Sequence, residues 1–177
     1  WIDMTKTVRS PGSTLKPFLY ALGLEKGYLT PASILDDSPV QLDTASGLYV
    51  PQNYDRAFKG PVSARAALAG SLNVPAVRTL LLTGVEPFRD RLWDTGYRGL
   101  TEDGQFYGFS LALGSAEVTL VEQAAAYRSL AMGGVSAPIH LIAGQKGEAP
   151  KQVLSPQAAW IVGDILSDPQ ARSSTFG

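Results

Sequence analysis

The chain has 177 residues, enough for one domain with a sizeable core, and its 15 basic and 16 acidic side chains leave a net charge of −1. With 45% hydrophobic and 18% charged residues the balance is that of a soluble globular protein; it excludes a disordered chain and gives no footing for nucleic acid or an anionic membrane surface. Cysteine is absent, which excludes disulfides and thiol catalysis and removes the commonest structural zinc ligand. The single histidine, His140, follows Ile139 and precedes Leu141-Ile142 in a strand-like run and reads as structural, so a serine nucleophile here needs a base other than histidine. No stretch approaches the roughly 18 apolar residues of a membrane span. Trp1-Ile2-Asp3-Met4 holds neither a basic nor an apolar leader, and both ends read as cuts through a longer polypeptide.

The predicted elements are mostly helices. The first begins near Ser13, after Ser10-Pro11-Gly12, with Leu15, Phe18, Leu19 and Leu22 at i, i+3, i+4, i+7 spacing and Gly27 placed to stop it. Residues 30 to 62 are rich in Pro, Asp, Ser and Gly and predict loop and a small hairpin, with strand-like pieces at 40–42 and 48–50. Ser63 caps a short Ala-rich helix that ends near Gly70. Asn73, two residues before Pro75, reads as the N-cap of a helix running to Gly84. Another helix runs from about Pro87 to Thr95. Thr119 and Glu122 form a capping-box pattern for one that ends at Gly133-Gly134. Residues 135 to 143 predict a strand. Ser155-Pro156 opens the last helix, with Ala158, Ile161, Val162, Ile165 and Leu166 on its apolar face. At least six helices with few strands suggests that a sheet belonging to this fold lies outside these residues.

Two short motifs could carry chemistry. Ser13-Thr14-Leu15-Lys16 is Ser-x-x-Lys, with serine and lysine one turn apart on one helical face. An unprotonated lysine there could take the serine's proton as it attacks a carbonyl. That role requires the lysine pKa to fall well below about 10, and no Asp or Glu between Asp3 and Glu25 opposes the fall. Pro17 cannot donate to the Ser13 carbonyl and biases Lys16 away from the α region, so the helix geometry at Ser13 should be irregular. The plain structural alternative is a capped helix start with a surface lysine. Ser71-Leu72-Asn73 is Ser-x-Asn: its hydroxyl could relay a proton and its carboxamide could hold a substrate amide, or it could be no more than a turn between helices with Asn73 as cap.

Ser-x-x-Lys, Ser-Asp-Asn and Lys-Thr-Gly are the known signature set of class A β-lactamases and penicillin-binding proteins. The segment from Arg9 to Phe18 resembles the active-site segment of class A penicillin-binding proteins. Pro51-Gln52-Asn53-Tyr54-Asp55 followed by Gly60-Pro61-Val62-Ser63 resembles the segment that leads to their second motif, and Ser71 to Val77 resembles that motif itself. Leu113-Gly114-Ser115 with Thr119 to Tyr127 is similar to the family's helix before a late Gly-Gly turn, and the Leu154–Ile161 run is most similar to the 1C subgroup.

The resemblance implies an α+β fold, that of the penicillin-binding transpeptidase and serine β-lactamase-like enzymes. Only its mostly helical part would be present, with most of the central antiparallel sheet outside. Residues 1–177 would then be a partial transpeptidase domain, from Ser-x-x-Lys to before Lys-Thr-Gly, and no Lys-Thr-Gly, Lys-Ser-Gly or His-Thr-Gly occurs in it. The implied activity is peptidoglycan D,D-transpeptidation, with Ser13 as nucleophile, Lys16 as base, Ser71 as proton relay and Asn73 orienting the donor peptide. Stem peptides ending in D-Ala-D-Ala would be the substrate, β-lactams would acylate Ser13, and no metal or cofactor is called for. The parent protein would be anchored in the bacterial inner membrane, facing the periplasm. A β-lactamase-like hydrolase and a non-catalytic scaffold module are the alternatives. A fragment without the third motif is expected to be catalytically silent. The apolar faces of its first and last helices should be exposed, covered by a second copy, or collapsed together.

Overall fold

The computed structural model describes residues 1–140 and 142–176. Helix α1 (Lys16–Glu25) is the element on which the others are laid: every residue from Lys16 to Gly23 is buried. Eight consecutive buried positions need cover on all sides of the cylinder. Helices α3 (Asn73–Thr83), α4 (Val85–Thr95) and α7 (Pro156–Ser167) all pack on α1. Phe18 meets Tyr97 and Tyr127 edge-on, at ring-centre distances of 5.9 and 5.7 Å. The first helix and α7, whose apolar faces were expected to be exposed, covered by a second copy or collapsed together, pack against one another.

The helix starts follow their local codes. Ser63 Oγ accepts from the Ala66 N–H at the start of α2 (Ala64–Ala69), and Ser155 Oγ accepts from the Ala158 N–H at the start of α7. Thr119 and Glu122 form a complete capping box for α6 (Leu120–Ala131). Asn73 departs from expectation. It is the first residue of α3, the cap position belongs to Leu72, and the Asn73 side chain makes no capping bond. Short helices α5 (Gly104–Tyr107) and α8 (Pro169–Phe176) and a 3₁₀ turn at Phe109–Leu113 carry no strong periodic signal and were not expected.

The strands form three separate antiparallel pairs among the described residues. β1 (Ile34–Asp37) pairs with β4 (Gly60–Ser63), with Asp37 opposite Gly60. β2 (Leu42–Thr44) and β3 (Gly47–Tyr49) make the expected hairpin. β5 (Val135–Ser136) pairs with β6 (Lys151–Gln152). The strand expected over 135–143 is therefore only two residues long as far as residue 140, Leu141 lies outside the described residues, and His140 is exposed in irregular chain. Helices with small sheets keep the α+β class. Among the described residues no helix is long and apolar enough to cross a membrane.

One close approach fixes the segment that carries Ser13. Ser10 Oγ donates to the Gly114 carbonyl at 2.9 Å, and Arg9 bridges Val118 in both directions at 2.8 and 2.9 Å. Gly114 has φ +83°, and a β-carbon there would overlap the backbone of Gly12. Gly114→Ala therefore meets both a left-handed backbone and a clash that no side chain can relieve. It is expected to cost at least about 2 kcal/mol in chemical denaturation, whereas Gly163→Ala, at a helical site with open space, should be neutral or stabilising.

Candidate active site

Ser13 stands in a 3₁₀ turn, Gly12–Leu15, immediately before α1. Pro17 has no N–H to offer the Ser13 carbonyl, so that carbonyl accepts from the Lys16 N–H instead, an i to i+3 bond. The irregularity expected from Pro17 is present, with a difference: Lys16 keeps α-region angles (φ −55°, ψ −40°). Burial of the Lys16–Gly23 run overrides the local preference of a residue before proline. The change from 3₁₀ to α divides the motif. Ser13 is exposed, while Lys16 is 1% exposed.

The Lys16 amine is bonded to the second motif. Its Nζ lies 2.7 Å from the Ser71 carbonyl oxygen, 2.7 Å from Asn73 Oδ1 and 3.2 Å from Ser71 Oγ. All three partners are neutral. Charged side chains on the elements around it are engaged elsewhere: Arg65 with Asp164 and Asp168, Arg78 with Asp36, and Arg91 with Glu25. Burial without a counter-ion lowers the Lys16 pKa from 10.5 to about 7. A surface lysine, the plain alternative, is excluded.

Ser71 is one of two non-glycine residues with positive φ among the described residues, at +54°. It closes α2 in a Schellman arrangement: the Ser71 N–H donates to the Leu68 carbonyl and the Leu72 N–H to the Ala67 carbonyl. Glycine is the usual occupant of that position, and a side chain there carries strain of order 1 kcal/mol.

Asn73 spans the site. Its Oδ1 faces Lys16, and its Nδ2 donates to the Gln52 carbonyl at 2.7 Å. The N–H groups of Asn73 and Val74, unsatisfied at the start of α3, are capped from a distance by Asn53 Oδ1 at 2.8 and 3.3 Å. Asn53 in turn donates through Nδ2 to both carboxylate oxygens of the fully buried Asp37, at 2.8 and 2.9 Å, and to the Ala57 carbonyl at 2.8 Å. Sequence reasoning marked Asn53 only as part of a landmark and missed Asp37. A cap delivered 20 residues away leaves no local pattern to read.

Ser13, Ser71 and Asn73 line one open pocket of about 440 Å³, with Asn53, Tyr54 and Asp55 on one side and Thr175 and Phe176 of α8 on another. Among the described residues Ser13 Oγ makes no hydrogen bond to Lys16 or Ser71. The four expected residues thus converge, with the lysine bonded to both Ser71 and Asn73 and the serine at the pocket surface. There is no cluster of potential metal ligands among the described residues.

A buried lysine in uncharged surroundings one turn from an exposed serine is an arrangement that could serve acyl transfer. Comparison with known proteins narrows the reading. The family profile described as "Penicillin binding protein transpeptidase domain" matches residues 2–176. The chain is 38% identical over 170 residues to penicillin-binding protein 1C of Escherichia coli K12, covering 94% of this chain and 21% of that protein. It is 30% identical over 184 residues to penicillin-binding protein 1A of Neisseria meningitidis Z2491, covering 92% and 22%. It spans about a fifth of the length of these relatives. The crystal structure of penicillin-binding protein 1A from Haemophilus influenzae superimposes with a TM-score of 0.75 at 26% identity, over 92% of this chain and 30% of that one. PonA1 of Mycobacterium tuberculosis, at 23% identity, shares the fold with a TM-score of 0.80 over 93% and 47%. The chain belongs to the penicillin-binding protein transpeptidase domain family.

The low Lys16 pKa links stability to pH. Between about 7 and 10.5 the unfolded chain binds the proton that the folded chain has released. Stability therefore rises with pH across that window, is complete above 10.5, and is lost as pH falls toward 7. The difference between this chain and Lys16→Met in urea-unfolding free energy, measured from pH 6.5 to 10, isolates the contribution. A flat difference would show a lysine that is not depressed.

Proposed function

We propose that this chain carries the acylation centre of a peptidoglycan D,D-transpeptidase. The observation that carries the reading is the buried Lys16 amine, held by neutral acceptors alone, one turn after an exposed serine. A neutral amine has two N–H bonds, and the two 2.7 Å contacts to the Ser71 carbonyl and Asn73 Oδ1 use both. Its lone pair is left for a hydroxyl proton. Lys16 takes the Ser13 proton as Oγ bonds to the carbonyl carbon between the two terminal D-alanines of a stem peptide. Ser71, 3.2 Å from the same amine through Oγ, passes a proton to the nitrogen of the leaving D-alanine. The strained backbone at Ser71 supports a working hydroxyl, since glycine would relieve the strain at that turn. Asn73 offers the donor peptide the second N–H of its Nδ2 from the pocket wall, the first being given to the Gln52 carbonyl. The amine of a neighbouring stem then attacks the acyl-serine and releases Ser13. A β-lactam follows the first half of the same path and stops at the acyl-enzyme. The parent protein, on this reading, faces the periplasm from the inner membrane.

One part of the machinery is not supplied by these residues. The oxyanion formed on the substrate needs two backbone donors. On this reading the Ser13 N–H is one, and the family resemblance implies that the other belongs to a strand after Lys-Thr-Gly, a motif absent from this sequence.

In a polypeptide that joins this chain to a Lys-Thr-Gly strand, Ser13→Ala is expected to abolish covalent penicillin labelling and Lys16→Ala nearly to do so. The labelling rate of the unaltered protein should rise with pH through about 7, as Lys16 gives up its proton. Intact-mass spectrometry showing an adduct on Ser13→Ala would overturn the assignment. By itself the 177-residue chain is expected to label about a hundredfold to a thousandfold more slowly than the joined protein, the usual loss for one oxyanion donor. Stopped-time gels with a fluorescent penicillin compare the two, and equal rates would refute the account of the missing donor.

A further inference from the structure

The Lys16 amine is docked against the Ser71 carbonyl and Asn73 Oδ1. One of its two close acceptors is a side-chain amide oxygen, Asn73 Oδ1, on the first residue of a helix whose own cap position, Leu72, supplies no side-chain cap. What holds Asn73 comes from outside the helix. Asn53 is 4% exposed and Asp37 is fully buried. All of Asn53's hydrogen-bonding capacity is used: Oδ1 takes the Asn73 and Val74 N–H groups, and Nδ2 reaches Asp37 and the Ala57 carbonyl. Asp37 Oδ2 also accepts from the Lys59 N–H at 2.8 Å. Asp37 stands at the end of β1, and Lys59 immediately precedes β4, its partner strand. The start of α3 is thereby fastened to the β1–β4 pair. A buried carboxylate without a cationic partner is costly, and an ordinary cap such as Ser63 serves α2 with no such support. The expense is understandable where a position must be held closely rather than merely capped.

We propose that Asn53, braced by Asp37, is a positioning residue that locks Asn73 and the first turn of α3 so that the Lys16 amine stays docked between Asn73 Oδ1 and Ser71. Neither side chain hydrogen-bonds Lys16, and the effect runs through Asn73. The inference rests on the proposed role of Lys16, and the test separates the two.

The test titrates Lys16 in the full 177-residue chain, by NMR of chemically unmodified lysines labelled with ¹³C at Cε, assigned through Lys16→Arg. The titratable groups on neighbouring elements to be followed alongside are Tyr20 on α1, Asp37 on β1, Asp55 at the pocket rim and Tyr127, whose hydroxyl donates to the Thr14 carbonyl. Asn53→Ala changes no charge. It should release Asn73, admit water to the amine and raise the Lys16 midpoint by about one pH unit or more. Asp37→Asn is nearly isosteric and guards against a variant that fails to fold. Loss of a nearby negative charge would by itself lower the lysine midpoint, whereas loss of the brace raises it, so the direction of the shift decides. Ser155→Ala, which removes the cap of α7, should lower the melting temperature and leave the midpoint in place. A wild-type midpoint near 10 would sink the proposed role of Lys16. A wild-type midpoint near 7 that stays or falls in Asp37→Asn, or stays in a folded Asn53→Ala, would sink the positioning role alone.

Discussion

Burying a primary amine without a counter-ion is the constraint around which the site is arranged. A lysine placed against a carboxylate would be better solvated and would keep its proton, because the pair favours the charged form. Lys16 is instead given two carbonyl-type oxygens and a hydroxyl, which satisfy N–H bonds without stabilising a positive charge as a carboxylate would. Asp37, the only buried carboxylate among the described residues, is kept two residues removed, behind Asn53 and Asn73, with its oxygens occupied by Asn53 and the Lys59 N–H. Asn53 separates the charge that fixes the loop from the amine that must stay neutral, while transmitting the mechanical hold.

The backbone irregularities cluster at the same place and have separate causes. The 3₁₀ turn at Ser13 follows from Pro17, which removes a donor. The left-handed Ser71 follows from ending α2 in a Schellman turn with a serine where glycine would be relaxed. Gly12 and Gly114 permit a backbone contact that no larger residue could make. Each is a local departure held by well-formed elements on both sides, which is how strain persists in a folded chain.

Local codes were legible in the sequence, and long-range ones were not. Ser63, Thr119 with Glu122, and Ser155 cap the helices that immediately follow them, so a few residues of context were enough. The family could be recognised, and Ser13, Lys16, Ser71 and Asn73 could be picked out, because their motifs are short and ordered. Asn73 was misread as a cap because its residue type and the nearby Pro75 fit that role. In the fold its side chain is committed to Lys16 and Gln52, and the cap arrives from Asn53. The β1–β4 pairing escaped notice for a related reason. Its two strands lie 22 residues or more apart, on either side of a hairpin that does show a local signal.

The contrast between exposed Ser13 and buried Lys16 is the remaining step. A nucleophile must meet a substrate in solution, and a base of depressed pKa must be kept from water. Three residues of continuous α-helix put both groups on one face at similar depth. The 3₁₀ segment keeps Ser13 and Lys16 eclipsed on one face, and its larger rise per residue sets Ser13 further out along the axis, at the pocket, while Lys16 enters the first buried turn of α1. Pro17 is the residue that imposes the change of winding, by denying the Ser13 carbonyl its α-helical donor. A residue that touches neither substrate nor proton thus sets the relative depth of the two groups that do the chemistry. The same logic places Asn53 under Asn73: each partner in the motif pair is set by a neighbour whose contribution is to backbone geometry.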